Sequence, residues 1–135
     1  TGNKNFKLND YQGKNIVLYF YPRDNTPGCT SEGEDFRDNF KSFAKKNTLI
    51  FGISKDTLKS HENFKDKFNF PFELISDPEE KICKLFDVIK EKSMYGKKYM
   101  GIERSTFLID SNGKLTKEWR KVKLKGHVEE VLNSL

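Results

Sequence analysis

Ile16-Val17-Leu18-Tyr19-Phe20-Tyr21 is an unbroken run of β-branched and aromatic residues, closed by Pro22. So apolar a run, without polar alternation, reads as a buried central strand. A strand of that kind belongs to a sheet with covering layers. The chain on its C-terminal side offers both strands and cover. Positions 30–46 put Phe36, Phe40, Phe43 and Ala44 at helical spacing. Leu49-Ile50-Phe51-Gly52-Ile53-Ser54 reads as a second buried strand. Positions 57–68 are a helix, with Leu58, His61, Phe64 and Phe68 in near register. A short strand is expected over 72–75, and a helix over 78–88 with Pro78 in its first turn. Positions 105–109 form another strand, and Asp110-Ser111-Asn112-Gly113 signals a hairpin. A return strand over 115–122 and a helix over 128–135 close the chain. This alternation is the α/β pattern, a central sheet flanked by helices.

The 135 residues suit one domain over 1–135, large enough to fold without disulfide staples. Only 35% of residues are hydrophobic, but 12 Phe, 5 Tyr and 1 Trp supply enough burial to argue against disorder. The net charge is +5, yet lysines alternate with Asp and Glu throughout. No basic stripe with interleaved aromatics appears, so nucleic acid is not an expected partner. The run at 16–21 is far short of the ~20 residues of a membrane span, and no signal peptide is visible. The chain opens on Thr1, so some preceding sequence is expected to be missing. Two cysteines, Cys29 and Cys83, do not make a secreted disulfide scaffold. With His61 and His127 distant in sequence, they do not make a structural zinc site either. A reducing cytoplasm is the expected setting.

In α/β sheets, sites form where strand ends feed helix starts. The junction after the first strand reads Tyr21-Pro22-Arg23-Asp24-Asn25-Thr26-Pro27-Gly28-Cys29-Thr30-Ser31-Glu32. Cys29 falls at a helix start, facing unsatisfied backbone N–H groups and the positive end of the dipole. Both favour the nucleophilic thiolate. The same position also suits a small buried residue that fills a turn.

The spacing Pro22, Thr26, Cys29 directly after an aromatic strand resembles the active-site signature of the peroxiredoxins. The wider string from Tyr19 to Thr30 resembles their bacterioferritin-comigratory, or Q-type, subfamily. So do Lys92-Ser93-Met94-Tyr95-Gly96, the stretch Tyr99 to Asp110, and Trp119-Arg120-Lys121-Val122 with Lys125-Gly126-His127. The resemblance implies a thioredoxin-like fold with a central mixed β-sheet, beginning one strand before Phe6. It implies a thiol peroxidase acting on hydrogen peroxide and organic hydroperoxides. Cys29 would be the peroxidatic nucleophile and Thr26 would offer its hydroxyl to the peroxide. Arg104 would favour the thiolate and orient the peroxide, and Pro22 would shield the sulfur. The N–H groups of Gly28 and Cys29 would complete the cradle. Glu32 stands where the family often keeps a carboxylate, though any carboxylate in a first helical turn is mildly stabilising. His127 is expected to be a surface or capping residue. Met94, Tyr95, Tyr99 and Met100 read as an apolar loop over the site, or as core filling. No metal, haem or flavin is implied. Thioredoxin is the implied reductant, with glutaredoxin or glutathione as alternatives, and a monomer is expected.

A sulfenic acid at Cys29 must be resolved by a second thiol. Many Q-type members carry it five residues later, where this chain has Glu34. Some place it in a later helix, which here holds Cys83. Resolution by Cys83 through an intramolecular disulfide is therefore expected. Yet Cys83 adjoins the apolar stripe of Ile82, Leu85, Phe86 and Ile89, which equally suits a packed cysteine. In that case the protein is a one-cysteine peroxidase with an external resolving thiol. Two other classes stay open: a disulfide reductase, although Glu32 replaces the second cysteine of Cys-x-x-Cys, and a non-enzymatic basic binding module.

Overall fold

A computed structural model describes residues 8–135. The expectations of an earlier strand before Phe6 and of missing sequence before Thr1 lie outside them. A 3-10 turn at Leu8–Tyr11 leads into β1 (Asn15–Phe20), α1 (Pro27–Asp38), α2 (Phe40–Lys45), β2 (Thr48–Ser54), α3 (Leu58–Phe68) and β3 (Glu73–Ser76). Then follow α4 (Lys81–Leu85), β4 (Ile89–Met94), β5 (Lys97–Ile102), β6 (Ser105–Ile109), β7 (Leu115–Trp119) and α5 (His127–Asn133). The main sheet has the order β3-β2-β1-β6-β7, and β4 pairs only with β5. β1 runs parallel to β2, and β2 to β3, while β6 and β7 are antiparallel additions. This is the mixed sheet of the thioredoxin-like class, with the apolar run at its centre.

The period-two alternation of β1 splits the core into two layers. Val17 and Tyr19 face one side, with Phe36 of α1, Phe43 of α2, Phe64 of α3, and Val128 and Val131 of α5. Ile16, Leu18 and Phe20 face the other, with Cys83 of α4, Val88, and Ile102 of β5. Cys29 belongs to the first layer and Cys83 to the second. On the first side the rings continue from Tyr19 to Phe36 at 4.6 Å and from Phe36 to Phe43 at 5.8 Å.

Three local expectations need correction. The helix expected over 30–46 starts three residues earlier, with Pro27 in its first turn, and breaks at Asn39 into α1 and α2. Asn39 has φ −103° and ψ 6°, outside helical values. The helix expected over 78–88 shrinks to Lys81–Leu85, because Glu80 (φ 63°) and Asp87 (φ 54°) are left-handed and bracket it. The apolar loop expected at Met94, Tyr95, Tyr99 and Met100 is instead the β4–β5 hairpin. Its turn residues Tyr95 and Gly96 both have positive φ, the conformation that matches strand twist in a two-residue loop. Met94, Tyr95, Tyr99 and Met100 are exposed on it and fill no core.

Gly52 shows how tightly the strands are sealed. A Cβ there would meet Leu74 Cδ2 and the Tyr19 Cζ and hydroxyl oxygen at 2.8 Å. Gly52→Ala should cost about 1–3 kcal/mol by overpacking, measured as a lowered urea midpoint with unchanged slope.

Candidate active site

The loop after β1 is shaped by local rules. Tyr21 N–H still donates to Ile53 O at 3.1 Å, so the chain leaves the sheet only at the exposed Pro22. Asn25 turns it with φ 62°. Thr26 is the N-cap of α1 in an extended conformation, and Pro27 follows where a missing N–H is harmless. The first intrahelical bond is Thr30 N–H to Thr26 O, at 2.9 Å. Gly28 and Cys29 precede it, so helix geometry leaves their N–H groups without a carbonyl. The Thr26 hydroxyl donates to Arg23 O at 2.9 Å, across the loop. Its hydrogen is thereby used, and its lone pairs stay available.

Cys29 is 2% exposed. Its sulfur accepts from Arg104 Nη2 at 3.4 Å. Arg104 arrives from the short link between β5 and β6. That link is pinned by Glu103 N–H to Val88 O at 2.7 Å and by Val122 N–H to Arg104 O at 3.0 Å. A Cβ on Gly28 would lie 3.2 Å from Arg104 Nη2 and 3.4 Å from Leu124 Cδ1, so glycine lets the guanidinium close over the loop. The other arm of the fork, Nη1, donates to Glu32 Oε1 at 2.6 Å.

Glu32 is fully buried, and its Oε2 has no hydrogen-bond partner among the described residues. Burial outweighs the Arg104 attraction and pushes its carboxyl up to about 7. The buried Tyr19 hydroxyl is also without a hydrogen-bond partner among the described residues, and its pKa is pushed well above the ordinary tyrosine range. Burial is the main cause, followed by the charges of Glu32 and Cys29. Thus Cys29, Gly28 and Glu32 meet at Arg104, while Thr26 stands at the N-cap with its hydroxyl on Arg23 O and Pro22 is exposed at the start of the loop. Cys83 does not join them. It is fully buried across the sheet, and its N–H donates to Asp77 Oδ2 at 2.8 Å. Burial, and then Asp77, pushes its thiol far up.

A second polar cluster backs the loop, and the sequence reading did not single it out. Asp24 accepts from the hydroxyls of Tyr21 at 2.6 Å and Ser60 at 2.8 Å, and its Oδ2 lies 2.7 Å from His61 Nδ1. His61 Nε2 faces Ile75 O at 3.1 Å, and Asp24 N–H donates to Asp56 Oδ2 at 2.9 Å. Ligand atoms of Asp24, Asp56 and His61 lie within 4.8 Å of one another. Their hydrogen bonds to each other and to the hydroxyls already account for that closeness. The sequence placed His61 on an apolar helix face, where its only visible signal was burial. His127 is a correction: it is buried, not a surface residue, with Nε2 2.7 Å from Thr106 Oγ1 and Trp119 edge-on to the ring. Burial holds it below the ordinary histidine range.

Residues 1–118 match the AhpC/TSA family. A helix-start cysteine under an arginine fork, on a thioredoxin-like sheet, is the arrangement of a peroxiredoxin, and the chain belongs to that family. It is 59% identical over 129 residues to peroxiredoxin Bcp of Bacillus subtilis, covering 96% of this chain and 82% of the relative. It is 50% identical over 135 residues to peroxiredoxin Bcp of Xanthomonas campestris, covering 100% and 84%. Among solved structures, a cysteine-to-serine mutant of Xylella fastidiosa PrxQ superposes with a TM-score of 0.95 at 48% identity, covering 99% and 83%. The Xanthomonas campestris bacterioferritin comigratory protein superposes with 0.91 at 50% identity, covering 96% and 82%. It was solved as trapped intermediate and ligand complexes that bear on its alkyl peroxide reduction. The chain is accordingly a thiol peroxidase that reduces hydroperoxides. Among the described residues, no helix is long and apolar enough to cross a membrane.

Glu32 also sets a pH dependence. Its folded pKa is raised above the unfolded value, so its contribution to stability is full below about 4.5 and is lost as pH rises through about 7. Urea unfolding should show the wild type losing stability relative to Glu32→Gln between pH 4.5 and 7. The loss should be on the order of 3 kcal/mol at most.

Proposed function

We propose that Cys29 is the peroxidatic residue and that Arg104 is the group that makes it so. The observation that carries this is the fork of Arg104, with one arm on the Cys29 sulfur and the other on the buried Glu32. The sulfur attacks one peroxide oxygen, the O–O bond breaks, and the other oxygen leaves with a proton as water or alcohol. Arg104 donates to the oxygen that gains charge, as do the free N–H groups of Gly28 and Cys29. Thr26 accepts from the peroxide O–H, since its own hydrogen is held by Arg23. Pro22 walls the rim, and Glu32 keeps the guanidinium in place. Cys29 becomes a sulfenic acid.

In the first reading Cys83 then attacks that sulfenic acid, releasing water and forming a disulfide that thioredoxin reduces. A disulfide needs Cα atoms within about 7 Å, so the five residues of α4 must unwind and the thiol must leave its core layer. The placement of the two thiols on opposite sides of the sheet favours a second reading. There Cys83 packs, and an external thiol resolves Cys29. Thioredoxin as the reductant, a cytoplasmic setting, a monomer and one domain over 1–135 complete the proposal, on the strength of the Q-type resemblance.

Thiol counting with peptide mapping, after one equivalent of hydrogen peroxide, separates the readings. Loss of both thiols as a Cys29–Cys83 link establishes the first, and loss of Cys29 alone establishes the second. An unreacted Cys29 overturns both. Cys29→Ser should abolish peroxide consumption. Arg104→Lys, which keeps the charge and loses the fork, should slow the first turnover by about 10²-fold in stopped-flow peroxide decay.

A further inference from the structure

Next to the link that carries Arg104 lies a groove of about 680 Å3, lined by Lys90, Glu91, Lys92, Glu103, Arg120 and Lys121. Its size is that of a small-molecule site. Cations outnumber carboxylates in its lining, and they are not equally committed. Lys90 pairs with Asp87 at 3.1 Å, Glu91 with Lys98 at 3.6 Å, and Arg120 donates to the carbonyls of Asp87 and Phe86. Lys92 and Lys121 have no ion-pair partner among the described residues. Lys92 is half-buried, and its stem lies 3.4 Å from where a Cβ on Gly101 would stand. Burial and the Arg104 charge both hold its ammonium below the ordinary lysine range, against the pull of Cys29 and Glu103. A cation crowded in this way gains from an anion.

The groove also adjoins the chemistry. Glu103 precedes Arg104, and Val122, one residue beyond Lys121, donates to Arg104 O at 3.0 Å. Of the reactants the cycle needs, the resolving thiol is the one this chain holds across the sheet from Cys29.

We propose that this groove seats the carboxylate of a small anionic thiol, which resolves the Cys29 sulfenic acid. The proposal rests on the reading in which Cys29 is peroxidatic and an external thiol resolves it. The thiolate sulfur attacks the Cys29 sulfur, an S–S bond forms, the S–O bond breaks, and hydroxide leaves as water after taking a proton. Cys29 is reduced and the external sulfur oxidised. A second thiol molecule then attacks the mixed disulfide, forming the external disulfide and freeing Cys29 as thiolate.

The test uses Cys83→Ser protein oxidised with one equivalent of hydrogen peroxide. Sulfenic acid decay is then timed with 3-mercaptopropionate, 2-mercaptoethanol and cysteamine, each rate corrected to thiolate concentration. At low salt the anionic thiol should outpace the cationic one by about tenfold or more, and the gap should close as salt rises. Lys92→Glu should reverse the order. Lys121→Glu should shrink the gap. Rates blind to thiol charge, or a gap unmoved by both variants, would overturn the proposal. So would a Lys92→Glu defect confined to carboxylate-bearing hydroperoxides in the first step, which would give the groove to the peroxide. Absence of any sulfenic acid at Cys29 would overturn the peroxidase reading instead, so the two failures are distinguishable.

Discussion

One guanidinium joins the two buried polar groups on which this site depends. Arg104 reaches Cys29 with one arm and Glu32 with the other, from a link between strands that lies far away in sequence. The planar fork matters more than the charge. A point charge serves one partner well, whereas a fork serves two with fixed directions. Much of the local structure reads as accommodation of that contact. Gly28 has no side chain to block it, Val122 anchors its backbone, and Glu32 is fully buried where only a cationic donor makes burial tolerable. The carboxyl pushed up to about 7 and the unpartnered Tyr19 hydroxyl show that burial here exceeds what Arg104 offsets.

The central strand is both the frame of the site and a wall. Its C-terminal end delivers the loop that holds Cys29, and its alternating side chains divide the core into two layers. The two thiols occupy different layers, so the chemistry after sulfenic acid formation turns on whether α4 opens. That helix has five residues between left-handed positions and presents Leu85 to solvent, features of a low-stability segment. The same wall directs attention to the cationic groove beside the Arg104 link, where Lys92 and Lys121 have no ion-pair partner among the described residues.

The hairpin β4–β5 and His127 show where local reading fails. Positions 89–102 carry lysines and methionines at strand positions, and the two-residue turn uses Tyr95 in a left-handed conformation that propensity disfavours. His127 looked like a helix-start surface residue because its partner, Thr106, comes from a strand 21 positions earlier. The Asp24–His61 cluster escaped for the same reason: its members are scattered over a loop and a helix start, each unremarkable alone.

The sequence by itself determined the central strand, the order of the elements that build the main sheet, the helix start that carries Cys29, and the family to which the chain belongs. These are carried by local chemistry: uninterrupted apolar runs, a proline-glycine loop before a helix, and a family signature spread along the chain. Only the tertiary structure decided the side of the sheet on which each thiol lies, the sharing of one guanidinium between sulfur and carboxylate, and the burial that shifts Glu32. Those depend on which residues the fold brings together across 72 and 75 positions, and no local pattern encodes a distance through space.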